Sequence, residues 1–325
     1  MTGRVIHTGQ AVVDFVLNVG RLPEPGGDVF AESRGLTAGG GFNVMAAAAR
    51  DGAAVAYAGA HGTGPFGDIV RAAMAAEHIE VLSPPVRGQD TGVSIALVDA
   101  DAERTFVSTL GAEGTASTAD YRATRPNRDD VVYATGYSLL HPQTRVALGE
   151  WLPELPREVR VVVDPSPVIG EVDINTLRLA VERADVWSTN EREAHIVARR
   201  WGHPIAEGAM PEEAARQLAV VLGCSVVLRA GARGAAFAVL EANTGLITRS
   251  SMLAGMSVHA VDTNGAGDAH CGVMCAALAR GLGLEAATRR ANVAAAIAVT
   301  RHGPATAPSA AETDAVLFQQ RSLGS

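Results

Sequence analysis

Apolar residues recur with two different periods along this chain. From Asp130 onward, short continuous apolar runs (Val131–Ala134, Val159–Val163, Val186–Trp187, Val226–Arg229) alternate with stretches in which apolar positions return at helical spacing. A short run bounded by turn residues predicts a buried strand. The wider period predicts amphipathic helices, here over Pro142–Trp151, Ile174–Arg183, Asn190–Trp201 and Pro211–Leu222. Strand and helix in alternation imply a mostly parallel sheet with helices on both faces. Gly234–Leu240 and Leu246–Arg249 predict a late strand pair, and Leu284–Arg301 and Ala310–Gln319 two final helices.

The first third of the chain breaks this rhythm. Arg4–Thr8 and Val55–Ala60 read as strands of the main sheet, with helices over Val44–Arg50 and Asp68–Glu77. Ala11–Val19, the alternating stretch Asp28–Thr37, and the hairpin Thr91–Val98 and Arg104–Thr109 around Asp99–Glu103 do not fit it. They predict a separate small sheet drawn from about 11–37 and 88–112 and hinged to the α/β body at the Gly-rich turn Ala38–Asn43. That is the anatomy of a lid that closes over a substrate and excludes water, within one domain spanning residues 1–325.

Composition narrows the chemistry. All 27 basic residues are Arg, so a Schiff-base Lys, a pyridoxal phosphate Lys and a P-loop Lys are excluded. A phosphate must be held by Arg, by backbone N–H groups or by a metal. A net charge of -8 with no basic block argues against nucleic acid as a partner. No apolar run is long enough for a membrane span, and the N-terminus lacks the pattern of a signal peptide, so the expected setting is cytoplasmic. Cys224, Cys271 and Cys275 have no CxxC spacing and read as buried small residues rather than disulfides or metal ligands.

The candidate chemistry concentrates in Ala260–Ala277. An apolar approach ends at Asp262, the run Asn264-Gly265-Ala266-Gly267 carries little side chain, and Asp268 opens a segment of helix formers. A turn feeding a helix N-terminus presents unpaired N–H groups and the positive end of the helix dipole, and so suits an anion. A carboxylate beside such a hole repels the anion unless its task is to take a proton from the group that attacks it. The plainer reading of Asp268 is an acidic first-turn residue interacting with the dipole. Two further features stand out: Asp14, an acid inside the apolar run Ala11–Val19, and Gly62–Gly67, a literal GxGxxG. The latter, with Pro65 removing a donor and a strand-turn-helix unit already preceding it, is a weak dinucleotide fingerprint.

Taken together, the two Gly-rich helix starts, the late Asp262-Thr263-Asn264-Gly265-Ala266-Gly267-Asp268 motif and the expected lid resemble the ribokinase, or PfkB, family of carbohydrate kinases over essentially the whole chain. The resemblance implies a three-layer α/β/α fold with a mostly parallel central sheet and a small β-sheet lid. It implies an ATP- and Mg²⁺-dependent kinase acting on a primary hydroxyl of a small sugar or nucleoside. Asp268 would be the catalytic base, with the Gly265, Ala266 and Gly267 backbone as the anion hole. Asp14, Gly39, Gly40, Asn43 and Tyr137 would face the substrate. Asn190 and Glu193, of the family's NxxE element, would organise Mg²⁺ and phosphate through water. Arg229, Gly231, Gly234 and Asn292 would lie on the nucleotide side. The backbone carbonyls of Asp262 and Asn264, with the Val299–Gly303 loop, would adjoin a monovalent cation, K⁺.

Several positions depart from the family pattern: Ala38 before Gly39, Met45 in place of a small residue, Asn264 in place of Thr, and Arg229 in place of Thr. A phosphorylated or acidic substrate would require cations near the lid; Arg21, Arg34, Arg87 and Arg104 fall at expected loops or strand ends. A neutral furanose sugar or nucleoside is therefore favoured, and the exposed lid edge suggests a homodimer. The rival readings are an NAD-dependent oxidoreductase using Gly62–Gly67 and a sugar- or nucleotide-binding member of the fold without catalysis.

Overall fold

The computed structural model describes residues 2–101 and 103–323; Met1, Ala102 (in the expected hairpin loop), Gly324 and Ser325 lie outside them. In chain order the first elements are β1 (Arg4–His7), β2 (Ala11–Val19), β3 (Ala31–Gly40), α1 (Gly41–Arg50), β4 (Ala54–Tyr57), α2 (Pro65–Ala76), β5 (Glu80–Val81), β6 (Val93–Val98) and β7 (Arg104–Ser108). Then follow α3 (Thr118–Ala123), β8 (Val131–Thr135), α4 (Gly136–Leu140), α5 (Pro142–Trp151), β9 (Arg160–Asp164), α6 (Ile174–Arg183), β10 (Val186–Asn190), α7 (Glu191–Arg200) and α8 (Pro211–Leu222). The chain closes with β11 (Ser225–Arg229), β12 (Gly234–Glu241), β13 (Leu246–Ala254), α9 (Ala266–Ala279), α10 (Leu284–Ala298) and α11 (Ala310–Leu323).

Nine strands form the main sheet in the order β13-β12-β11-β10-β9-β8-β1-β4-β5. Its pairings from β5 to β11 are parallel, and the late pairings of β11 with β12 and of β12 with β13 are antiparallel. Burial on both faces explains the continuous apolar runs. Ile6, Val132, Val161, Val163 and Trp187 pack on one side with residues of α5, α6, α7 and α8. Val5, Val131, Tyr133, Val162 and Val186 pack on the other with α1, α2, α9 and α10. The helices on that second face are rich in Ala, which allows close packing where aromatic residues are scarce. Among the described residues, no helix is long and apolar enough to cross a membrane.

The elements outside the alternation form a second sheet of four strands, β3-β2-β6-β7. β2 pairs antiparallel with β3 and parallel with β6, and β6 pairs with β7 in the expected hairpin. Boundaries shift by a few residues. α2 begins at Pro65 rather than Asp68, since proline suits a first helical turn, and α10 ends at Ala298 rather than Arg301. The short elements β5, α3 and α4 had no readable period in so few residues.

The parallel strands all end on one side. Thr8–Gln10 after β1, Gly136–Ser138 after β8, Pro165 and Ser166 after β9, Asn190 at the end of β10 and Arg229–Gly231 after β11 gather at the carboxyl edge. β1 lies between β8 and β4, so connections leave its neighbourhood in both directions and open a crevice there.

Candidate active site

The Asp262–Gly267 turn enters α9 in the crevice. Gly265 is the N-cap in the left-handed region (φ 75°), and a Cβ on it would stand 1.9 Å from the Pro304 carbonyl oxygen. Only glycine fits both constraints. The side chain of Asp262 pins the turn: its carboxylate accepts the Asn264 N–H at 2.9 Å, the Gly303 N–H at 3.1 Å and Arg104 Nη2 at 3.0 Å. Burial alone would raise its pKa, but these three partners leave it lowered. Gly267 is exposed at the start of this 14-residue helix, and the Ala266 N–H donates to the Thr263 carbonyl at 3.3 Å within the turn.

Asp268 lies in the first turn of α9 and accepts a hydrogen bond of 3.0 Å from Asn43 Nδ2. Surrounding protein desolvates it and pushes its pKa up to about 6; the Asn43 bond and Arg229 lower it, while Asp164 and Asp14 raise it. Asn43 is not the cap of α1, a position held by Gly40, but sits inside the first turn with its Oδ1 buried and unpartnered among the described residues. Asp14 on β2 reaches the same crevice. A Cβ on Gly39 would lie 1.9 Å from its Oδ2, so the glycine leaves room for the carboxylate, and burial raises the Asp14 pKa to about 6. Tyr137 is 42% exposed on α4, and burial, followed by the negative charges of Asp268, Asp164, Glu193 and Asp14, raises its pKa. Residues far apart in sequence thus converge, Asn43 on Asp268 and Gly39 on Asp14 among them.

The nucleotide-side candidates divide. Asn190 and Glu193 form a capping box on α7: Asn190 Oδ1 accepts the Glu193 N–H at 2.9 Å, Glu193 Oε2 accepts the Asn190 N–H at 3.0 Å, and Asn190 Nδ2 donates to Glu193 Oε1 at 2.7 Å. Gly231 and Gly234 flank the short turn after β11. Asn292 is buried, and its amide donates to the Leu253 carbonyl at 3.1 Å, tying α10 to β13. Arg229 points inward, with Nη2 3.0 Å from Asp164 Oδ2 and Nη1 2.6 Å from Ser188 Oγ.

Sequence reasoning missed Asp164, Ser166 and Gln10. Asp164 carried a usable signal, since it ends an apolar run at a strand's carboxyl end before Pro165, the position from which α/β proteins address ligands. Gln10 Nε2 is buried and unpartnered among the described residues, beside Ser138. Cys271 and Cys275 are buried and free, and no group of three or more His, Cys, Asp or Glu side chains is placed to hold a metal among the described residues. The carboxylates present, Asp164 and Glu193 beside Arg229, fit Mg²⁺ held mainly by substrate phosphates and water, with carboxylates at one remove.

The GxGxxG loop is closed to a dinucleotide. Asp90 Oδ2 accepts the Phe66 N–H at 3.1 Å and Asp90 Oδ1 the Gly67 N–H at 2.8 Å, so a protein carboxylate already occupies the start of α2. Arg71 holds the Gly62 carbonyl. The glycines serve packing of this loop against residues 86–91, and the oxidoreductase reading loses its site.

Comparison with known proteins agrees with the geometry. The pfkB family carbohydrate kinase model matches residues 3–311. The chain is 30% identical to a sugar kinase of Escherichia coli strain K12, YegV, over 95% of this chain and 92% of that one. Its fold is similar to the ribokinase of Thermotoga maritima, with a TM-score of 0.79, 21% identity, and coverage of 97% of this chain and 99% of that one. It is also similar to the Arabidopsis thaliana ribokinase complexed with ribose and ATP, with a TM-score of 0.77, 20% identity, and coverage of 98% and 99%.

Proposed function

The chain belongs to the pfkB family of carbohydrate kinases, and on that premise we propose that it transfers the γ-phosphoryl group of ATP to a primary hydroxyl of a neutral furanose sugar or nucleoside. The observation that carries this reading is the Asn43 amide held 3.0 Å from Asp268 at the mouth of an open helix N-terminus. Asp268 takes the proton of the acceptor hydroxyl as that oxygen bonds to the γ-phosphorus. The bond from the γ-phosphorus to the β,γ-bridging oxygen breaks, ADP leaves, and Asp268 passes the proton to solvent. The N–H groups of Gly265, Ala266 and Gly267 receive the charge on the phosphoryl oxygens. Mg²⁺ bound with ATP would neutralise phosphate charge, and Glu193, both of whose oxygens serve the α7 cap, would act on it through water.

Asp14, the Asn43 carbonyl oxygen, Gly39, Gly40 and Tyr137 are the acceptor-side groups in this proposal. Acid and amide pair naturally with vicinal hydroxyls. Arg104, the lid-side cation beside the site, is already engaged by Asp262, which favours a neutral acceptor over a sugar phosphate or sugar acid. Gly231, Gly234 and Asn292 line the nucleotide side, and the Asp262 and Asn264 carbonyls with the 299–303 loop take K⁺. The four-stranded sheet acts as the lid, and the setting is cytoplasmic. The Arabidopsis ribokinase, solved with ribose and ATP, supports this assignment of ligands by fold.

The test is ADP release from Mg-ATP across ribose, fructose, ketodeoxygluconate, adenosine, guanosine and pseudouridine, with and without K⁺. Release that depends on a furanose or nucleoside, and rises with K⁺, is expected. Release with none of the panel, although ATP binds, would instead support a binding protein that has kept the fold.

A further inference from the structure

The proton transfer above leaves one buried cluster unused, at the floor of the same crevice. Arg229 spends three of its five N–H donors inside the protein, on Asp164 Oδ2 at 3.0 Å, Ser188 Oγ at 2.6 Å and Cys271 Sγ at 3.1 Å. Glu193 Oε2 stands 3.7 Å away. The Nε–H makes no hydrogen bond among the described residues, and it lies 3.8 Å from where a Cβ on Gly267 would be. An unused cationic donor therefore borders the open end of α9.

Asp164 holds that guanidinium with one oxygen and is itself fixed through the other. Its Oδ2 takes Arg229 and accepts the Cys271 S–H at 3.3 Å, while its Oδ1 accepts the Ser166 N–H at 2.8 Å. Ser166 is buried and holds φ 57°, ψ 164°, a region that side-chain-bearing residues almost never occupy. Such strain persists where the surroundings over-determine it, and it gathers at functional sites. A buried ion pair is poor evidence of a purely stabilising role, because apolar replacements are often equally stable. The crevice also presents Asp14, Asp164, Glu193 and Asp268, with Arg229 the cation amid them. A nucleotide's terminal phosphate would otherwise enter a field of carboxylates.

We infer that Arg229 completes the anion hole as a direct contact of the nucleotide's terminal phosphoryl group, and that Asp164 is the positioning residue that holds the guanidinium there. The inference rests on the kinase reading. It makes the Arg-for-Thr departure a rebuilt phosphate site rather than a lost one.

The experiment compares calorimetric binding of Mg-ADP and of a Mg-bound non-hydrolysable ATP analogue to wild type, Arg229→Met, Arg229→Lys and Asp164→Asn. Wild type is expected to prefer the analogue. R229M should lose about tenfold or more of that preference while keeping its affinity for ADP, as loss of a charge-assisted contact implies. D164N should lose less, and R229K should recover part. With the best acceptor, kcat should fall about a hundredfold in R229M, with little change in the acceptor KM.

Asp14, Asp164 and Arg229 are the charged groups around Asp268, with Asn43 bonded to it and Tyr133 and Tyr137 nearby. The acid limb of the rate profile should therefore move to lower pH in D164N and to higher pH in R229M. Structural damage alone would not produce opposite shifts. An analogue-to-ADP preference that R229M leaves intact, or equal losses for both ligands, overturns the inference alone. Should R229M not fold, R229K and D164N decide by the same ratio. A wild type that binds neither nucleotide overturns the kinase reading and this inference with it.

Discussion

The account rests first on the proton state of Asp268. Its pKa, raised to about 6 by burial, is well placed for a base that must be ionised near neutrality yet still take a proton. The rate should rise with pH through about 6 as the carboxylate ionises, and a pH profile of kcat/KM reads this directly. The sign for stability is opposite. A carboxyl whose folded pKa exceeds its unfolded value near 3.8 binds its proton more tightly when folded, so its stabilising contribution is present at low pH and is lost as pH rises through about 6. Asp268→Asn should therefore melt higher than wild type at pH 8 while losing about 10² to 10⁴ in kcat. A lower melting temperature would mean that the carboxylate is stabilising rather than strained. Asp268 and Asp14 were legible in sequence because each breaks a local pattern. The bond between Asn43 and Asp268 was not, since its partners are 225 residues apart and only the fold joins them. Arg229 was legible as a departure, but its pairing with Asp164, reached across the intervening β10 at the sheet's carboxyl edge, was not.

Among the elements, the turns before α9 and α2 look alike in sequence and differ in what their N–H groups meet. The α9 turn is open above Gly267, whereas the α2 turn is filled by Asp90. Gly265→Ala must place a Cβ against the Pro304 carbonyl in a left-handed conformation, so it should lower both thermal stability and kcat. Asp90→Ala should cost about 1–2 kcal/mol, the usual loss of a helix cap, with no change in the ATP dependence of the rate. Denaturant melts of the two variants beside wild type check both. Strands and helices of the α/β alternation were readable because their periods are long and uninterrupted. α2 was misplaced at its start because the glycines hid a helical turn that Pro65 begins, and Asn190 with Glu193 proved to be a cap whose reciprocal bonds satisfy one another.

In the whole molecule, the Arg104 to Asp262 bond ties β7 of the small sheet to the α9 turn. Arg104→Ala should raise the acceptor KM several-fold with a smaller effect on ADP affinity, if the small sheet closes as a lid; steady-state kinetics with product inhibition separates the two. β3 and β7 are free edges, and Phe106 and Val107 on β7 are 57% and 59% exposed. Apolar exposure on a strand edge invites pairing with a second copy. Sedimentation should show a wild-type dimer that Phe106→Asp weakens.

The central claim, that Asp268 is the base of a phosphoryl transfer at the α9 N-terminus, is tested most directly by phosphorylated product formed from Mg-ATP and the best acceptor at pH 8, with nucleotide binding measured in parallel. We expect wild type to form product, and Asp268→Asn to bind ATP normally while forming product at least a hundredfold more slowly. Equal rates in the two proteins would contradict the claim.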